Sequence, residues 1–267
     1  MIAVALGSIV GLILGLTGAG GSIFAMPLLV LGLNQSMTQA APVALLAVSG
    51  AAALGAVNGL RAGLTRYRTA LVIGAVGSVT APLGIDLAAR ASHETLVYVF
   101  AAVMLFVATR MFLQAHRAPH AVVDRPRLRA CRLDPQTKRI RWTAPCALVL
   151  SLSGAATGVL SGALGVGAGF VIVPTLHAAT DLPMASNIAT SLMAIAIISA
   201  GAVAAFVLKG GHLAAGVATP FLAGALGGML IGRALAARMA GHRLQRVFAT
   251  CMVVAAAAMI YRLRGRS

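Results

Sequence analysis

Two glycine-rich stretches decide how this chain folds. The first runs Gly15-Leu-Thr-Gly-Ala-Gly-Gly-Ser-Ile-Phe-Ala-Met-Pro27, and the second runs Gly162-Ala-Leu-Gly-Val-Gly-Ala-Gly-Phe-Val-Ile-Val-Pro174. Both lie inside long apolar runs that carry no charged residue. Each glycine costs about 1 kcal/mol relative to alanine in the interior of a helix. The sequence therefore predicts that a helix is interrupted here, and that this happens twice.

The composition places the chain in a membrane. Of 267 residues, 60% are hydrophobic and 10% are charged, and the mean hydropathy is +0.95. No Asp, Glu, Lys or Arg occurs before Arg61, and none occurs from Thr143 to Thr180. Uncharged apolar runs longer than about 18 residues are typical of transmembrane helices. We therefore predict an all-α polytopic membrane protein, with the lipid bilayer as its surroundings.

The net charge of +16 does not indicate a nucleic-acid partner. Eight of the 21 basic residues lie in one segment, from Arg117 to Arg141, and most others sit at the ends of apolar runs. Basic residues at such ends set the orientation of membrane helices. The cysteines, Cys131, Cys146 and Cys251, have no C-x-x-C spacing, so neither a disulfide framework nor a metal site is predicted. No cofactor is expected.

The chain contains an internal repeat. A shift of 147 residues places Gly7, Gly11 and Gly15 on glycines and Pro27 on Pro174. We therefore predict a first transmembrane repeat over residues 1–114, a basic cytoplasmic connector over 115–142, and a second transmembrane repeat over 143–267. Apolar segments cover 2–33, 40–58, 69–89 and 95–114 in the first half, and 143–180, 185–208, 213–235 and 243–261 in the second.

The leading segment of each half has an unusual length. Straight helices of 32 and 38 residues would be about 48 and 57 Å long, whereas the hydrocarbon core is about 30 Å thick. Two full crossings joined by a turn would need more residues than either run contains. We therefore predict about eight transmembrane segments, in which the first helix of each repeat is broken at its glycine-rich stretch.

The distribution of basic residues predicts the topology. A cytoplasmic connector places Arg61, Arg66 and Arg68 inside, together with Lys209 and the arginines that follow residue 261. Four arginines oppose this bias: Arg90, Arg238, Arg243 and Arg246. The balance favours cytoplasmic termini and puts equivalent basic loops on the same face. We therefore expect two parallel four-segment repeats, related by an axis along the membrane normal.

The glycines have two predicted roles. The G-x-x-x-G pairs of residues 7–15 and 154–162 are typical of close helix packing in lipid. The denser clusters that follow favour unwound backbone, whose N–H groups would face a watery cavity and attract an anion. Purely structural kinking is the alternative interpretation. The substrate-binding candidates are Gly18, Gly20, Gly21, Ser22, Gly165, Gly167 and Gly169.

Polar side chains supply further candidates. Asn187, Thr190 and Ser191 share roughly one helix face and could donate to an oxyanion, although such residues also bond their own backbone or join helices. Asp86 is the only acid inside a predicted span. We expect it to pair with Arg90 one turn later, and a role in proton coupling is the weaker alternative. An intramembrane serine hydrolase would need a base near its nucleophile, and the histidines fall at segment ends, so no enzyme is predicted.

The paired glycine-rich segments that each end in proline, the Ala189-Thr-Ser191 stretch and the four-plus-four layout resemble the TauE/SafE sulfite-exporter family of membrane transporters. The resemblance implies transport of sulfur-containing anions such as sulfite, sulfoacetate or aryl sulfonates. The first half departs from the pattern, since Ala41-Pro-Val-Ala44 stands where the second half has Ala-Thr-Ser.

We therefore predict a secondary transporter that moves a small anion, a sulfur oxyanion or organosulfonate, across a bacterial cytoplasmic membrane by alternating access. An anion channel and an intramembrane enzyme are the alternatives. The oligomeric state stays open, with a homo-oligomer as one option.

Overall fold

The computed structural model describes residues 1–18, 20–33, 35–116, 131, 143–167, 169–180, 182–236 and 241–264. Most of the predicted connector, residues 117–130 and 132–142, lies outside this part of the chain. The described residues form helices joined by short loops, as predicted. The helices are α1 (Ile2–Thr17), the 3₁₀-helix η1 (Gly20–Phe24), α2 (Ala25–Gly32), α3 (Met37–Arg61), α4 (Tyr67–Arg90), α5 (His93–His116), α6 (Ala144–Leu164), α7 (Gly169–Ala179), α8 (Met184–Leu208), α9 (Ala215–Ala236) and α10 (Gly241–Arg264).

Six of these helices are long and apolar enough to cross a membrane, namely α3, α4, α5, α6, α8 and α9. The apolar part of α10, Phe248–Leu263, is shorter, as are α1, α2 and α7. An all-α polytopic membrane protein is therefore confirmed.

The leading segment of the first half is a helical hairpin. Helix α1 ends at Thr17, and Gly18 follows with a φ of 81°. A side chain at Gly21 would overlap the backbone of Leu14, so η1 folds back against α1. At the end of α2, a Cβ on Gly32 would lie 2.6 Å from a methyl group of Leu6, near the start of α1. The chain therefore returns to the end of the bundle at which it began.

The leading segment of the second half is a hairpin as well. Helix α6 ends at Leu164, and Gly165 and Gly167 have φ values of 68° and 65°. Cys131 then brings the two arms together. It forms a disulfide with Cys146 in the first turn of α6, and its N–H donates to the carbonyl of Ala179, 3.1 Å away, at the end of α7.

The two hairpins correct the expectation of eight crossings with a broken leading helix. The helices end at the glycines, but the chain reverses there instead of continuing across. The return arms are also short, since α2 has 8 residues and α7 has 11, or about 12 and 17 Å. Besides its hairpin, each half contains three helices that run between the two ends of the bundle, namely α3, α4 and α5 in the first half and α8, α9 and α10 in the second.

The predicted close packing of the G-x-x-x-G glycines is confirmed. Helix α1 runs along α9, and a side chain at Gly7 or Gly11 would overlap the carbonyl oxygens of Phe221 or Ala225. Helix α6 runs along α4 in the same way, with Gly158 and Gly162 against the carbonyl oxygens of Gly77 and Ala81.

Helices α3 and α8 are equivalent in the repeat, and they pack in antiparallel directions. Ser49 Oγ donates to the carbonyl of Ala196 at 3.1 Å, and Ser186 Oγ donates to the carbonyl of Leu64 at 2.6 Å. Higher numbers on one helix thus meet lower numbers on the other. Parallel repeats would run equivalent helices in the same direction, so that expectation is wrong. The halves are inverted, because an odd number of crossings in the first half turns the second half over.

The inversion also separates the connector from the chain termini. Gly154 of α6 packs against Ile73 of α4, so α6 begins beside the start of α4, at what we call the connector end. Arg262 Nη1 donates to the carbonyl of Val30 at 3.5 Å, so α10 ends beside the end of α2, at what we call the terminal end. The expectation that the connector and both termini share the cytoplasmic face is therefore wrong.

Candidate functional site

The turns of the two hairpins insert into opposite halves. Gly18 packs against the side chain of Ile188, one turn into α8. Gly165 packs against Ala41, one turn into α3. Residues 41 and 188 are again 147 apart, so the two hairpins make equivalent contacts. Each half thereby helps to position the glycine-rich turn of the other.

A cavity of about 520 Å³ lies between the hairpins. Gly20 of the first hairpin and Gly169 of the second both line it. Ala178 and Met184, near the end of α7 and the start of α8, line it as well, so the cavity extends toward the connector end. The remaining lining residues are Leu16, Thr17, Phe106, Val107, Arg110, Met111, Phe170, Val171, Val173, Pro174, Thr175 and Phe248.

One of the residues that line the cavity is charged, namely Arg110 of α5. The hydroxyl groups of Thr17 and Thr175 are committed to their own helices, since each donates at 2.8 Å, to the carbonyls of Ile13 and Val171. Neither hydroxyl proton is therefore directed at a ligand. The guanidinium of Arg110 is the strongest donor that a ligand in this cavity would meet.

Backbone groups add positive potential to the same cavity. Helix α7 begins at Gly169, and the first N–H groups of a helix have no acceptor within that helix. The helix dipole places partial positive charge at the same end. An apolar wall, a guanidinium and a helix N-terminus together make a site that favours an anion over a cation.

The glycines that were candidates divide into two groups. Gly20 and Gly169 line the cavity. The others, namely Gly18, Gly21, Ser22, Gly165 and Gly167, are buried and do not line it. Gly167, for example, packs against Val48 and Ile195.

The polar candidates of α8 are fully buried and bonded within the protein. Thr190 Oγ1 accepts the N–H of Arg66 at 3.0 Å, and Ser191 Oγ donates to the carbonyl of Ile188 at 2.9 Å. Asn187 Nδ2 donates to the carbonyl of Leu182 at 3.3 Å. None of the three lines the cavity, so their role in substrate binding stays a prediction.

Asp86 pairs with Lys209 at the terminal end, where α4 and α8 both finish. The expected pairing with Arg90 is wrong, because the inverted halves bring these two helix ends together. Both side chains of the pair are about half exposed.

Sequence reasoning missed two features. Arg110 is a lone cation within an apolar segment, a position from which an arginine side chain can also reach the membrane surface. Its repeat equivalent at the shift of 147 residues is Ala257, so the duplication did not mark it. The disulfide between Cys131 and Cys146 corrects the expectation of unpaired cysteines, and it depends on the return of α7, which spacing does not reveal.

Comparison with known proteins identifies the family. The profile of the sulfite exporter TauE/SafE family matches residues 3–259. The chain belongs to this family. Two relatives, each named a probable membrane transporter protein, come from Xylella fastidiosa strains 9a5c and Temecula1. Both are 31% identical over 261 residues, which cover 96% of this chain and 93% of the relative.

No solved structure matches the chain. The resemblance inferred from the glycine-rich repeats is confirmed, and this TauE/SafE protein is a membrane transporter. In this family member, the cavity between the hairpins combines a guanidinium with a helix N-terminus, and both groups favour an anion.

Proposed function

We propose that this TauE/SafE protein is a secondary transporter that moves a small anion, a sulfur oxyanion or organosulfonate, across the bacterial cytoplasmic membrane by alternating access. The observation that carries the proposal is that both hairpins meet at one cavity, which also holds Arg110. The cavity lies between the two halves of the repeat. A rearrangement of one half against the other therefore changes its access.

The inverted halves provide the mechanism. In transporters built this way, each half adopts in turn the conformation that the other held, and the binding site opens alternately to the two sides. Here the cavity extends toward the connector end. Exchange of the two conformations would open an equivalent space toward the terminal end. Asn187, Thr190 and Ser191, which are buried in this conformation, are candidates to contact the substrate only in the other.

The orientation follows from charge. Most of the 21 lysines and arginines, all but five, lie at the connector end. They belong to the connector itself, to the other segments that join helices at this end, or to the helix ends beside these segments. The exceptions are Arg90, Lys209, Arg262, Arg264 and Arg266. Loops rich in Lys and Arg remain in the cytoplasm. We therefore place the connector in the cytoplasm and both termini in the periplasm.

The test is anion flux in proteoliposomes. A carrier would show saturable uptake of labelled sulfite or benzenesulfonate and would exchange internal for external anion. Gly20→Leu would fill the cavity and lower this flux at least tenfold, since no atom beyond Thr17 lies within 4 Å of the added Cβ to disturb folding. Gly227→Leu is the matched control, because that position in α9 is open.

Each alternative predicts a different result. A channel would give flux that does not saturate and shows no counterflow. Wild-type vesicles that move neither anion, or full flux in the Gly20→Leu variant, would contradict the proposed site.

A further inference from the structure

The charge in the cavity has no partner within the described protein. Arg110 lies in α5, two turns before that helix ends at His116, and its side chain is exposed to the cavity. It makes neither an ion pair nor a hydrogen bond with any residue that the structure describes. A guanidinium beside apolar groups binds an anion through charge-assisted hydrogen bonds, which are about twice as strong as those between neutral groups.

The wall around Arg110 is apolar. Phe106 precedes it by one turn on α5, so the two side chains share a face of that helix. Phe170 approaches from α7, and Met111 and Met184 also line the cavity. Groups of this kind bind hydrocarbon or an aromatic ring, and they replace none of the hydrogen bonds that an inorganic ion makes with water.

Few other donors are available among the residues that the structure describes: apart from Arg110, they are the first N–H groups of α7 at Gly169. The hydroxyl protons of Thr17 and Thr175 bond their own helices. A small dianion such as sulfite would have to exchange much of its hydration for an apolar wall. An anion that carries an apolar substituent loses less hydration on entering the cavity, because only its acid group needs hydrogen-bond donors.

We propose that Arg110 binds the acid group of a small organic anion, and that Phe106 and Phe170 hold the apolar substituent of that anion. This inference rests on the proposed transport function and narrows it to organic sulfonates or carboxylates in preference to inorganic oxyanions. The two N–H donors of a guanidinium fork match two oxygens of either acid group. The helix register places the ring of the ligand one turn from Arg110, further from the connector end.

Binding to the purified full-length protein tests the inference by isothermal titration. The probes are benzenesulfonate, benzoate, sulfite and the neutral benzyl alcohol. We expect the wild type to bind benzenesulfonate or benzoate at least tenfold more tightly than sulfite or benzyl alcohol. Arg110→Gln should weaken binding of the organic anions about 10- to 100-fold, because a charge-assisted hydrogen bond is lost. Arg110→Lys should weaken this binding less than Arg110→Gln does, since lysine keeps the positive charge but lacks the two-donor fork of a guanidinium.

A second variant and a control separate binding from folding. Phe106→Ala should weaken the binding of benzenesulfonate about tenfold and leave the binding of sulfite unchanged. Arg61→Gln removes an exposed charge at the connector end that does not line the cavity, so it should bind as the wild type does. Melting temperatures of all variants show whether a loss of binding reflects a loss of fold.

The outcomes distinguish the inference from the proposed function. Unchanged affinity in Arg110→Gln, or tighter binding of sulfite than of the organic anions, would overturn the role of Arg110 while anion transport still stands. A wild-type protein that neither binds nor moves any of these anions contradicts both.

Discussion

Ser49 donates a hydrogen bond to the carbonyl of Ala196 at 3.1 Å, and these two residues occupy the same position in the two halves of the chain. Two equivalent positions touch where a two-fold axis passes between them. Because α3 and α8 are antiparallel at this contact, the axis runs across the helices, in the plane of the membrane. Under the proposed mechanism, this relationship would let the cavity open to opposite sides by exchange of two similar conformations.

The direction of α8 relative to α3 predicts a specific cross-link. Leu64→Cys and Ser186→Cys should be joined by a short bis-maleimide cross-linker, because Ser186 Oγ lies 2.6 Å from the carbonyl of Leu64. The native cysteines are first replaced by alanine, and a protease site is inserted in the connector. A cross-link then holds the two fragments together on a denaturing gel.

The control pair for this experiment is Leu64→Cys with Gly211→Cys. Residue 211 is the repeat equivalent of residue 64, and parallel halves would place both at one end of the bundle. Inverted halves separate them by the length of a helix. Efficient cross-linking of the control pair alone would contradict the inverted arrangement.

The contact between α1 and α9 predicts a loss of stability. Gly11→Ala should destabilise the protein by about 1–3 kcal/mol, because its Cβ would overlap the carbonyl oxygen of Ala225. Thermal unfolding in detergent would show this as a lower melting temperature. Gly227→Ala, where nothing lies within 4 Å, should leave that temperature unchanged or raise it. Equal melting temperatures for the two variants would show that the helices are not so closely packed.

The distribution of basic residues predicts which side each terminus faces. Alkaline phosphatase fused after residue 267 should be active, since this enzyme folds in the periplasm, and green fluorescent protein at the same position should be dark. The same reporters fused within the connector should give the opposite pattern. Fluorescence at the C-terminus would reverse the orientation proposed here.

The cysteines give an independent test of orientation. The structure joins Cys131 to Cys146 at the connector end, whereas the cytoplasm keeps thiols reduced. The charge bias involves most of the basic residues of the chain, whereas the disulfide involves one pair of cysteines. A connector in the cytoplasm would leave both thiols reactive with maleimide in cells lysed directly into the reagent under denaturing conditions. A disulfide preserved under these conditions would place the connector in the periplasm.

The ion pair at the terminal end predicts a small effect. Asp86 and Lys209 are about half exposed, and such pairs contribute about 0–1 kcal/mol. Asp86→Asn should therefore leave both the melting temperature and the dependence of transport on a pH gradient nearly unchanged. Lys209→Gln is the matched variant, because it breaks the same pair and keeps the carboxylate. Loss of pH-driven transport in Asp86→Asn alone would instead support proton coupling through this carboxylate.

Much of the secondary structure was accessible from the sequence. Long uncharged runs predict helices in lipid, because only a helix satisfies its own backbone there. The shift of 147 residues predicted the duplication, and the spacing of Gly7 and Gly11 predicted close contact with another helix. These inferences need only composition and periodicity, which are local properties of the chain.

The sequence by itself therefore determined the membrane class, the repeat and the positions where the leading helices end. Tertiary structure alone decided the direction of the chain after those ends. A glycine with positive φ permits either a kink or a reversal, and the choice was made by distant contacts, Gly21 with Leu14 and Gly32 with Leu6. Each reversal removes one crossing, and the second half is therefore inverted relative to the first. The termini then lie at the opposite end from the connector. Arg110 lines the same cavity as Gly20 and Gly169. Hydropathy counts apolar residues but carries no information on which way a chain turns, and this is the physical reason that the site could not be assembled from sequence.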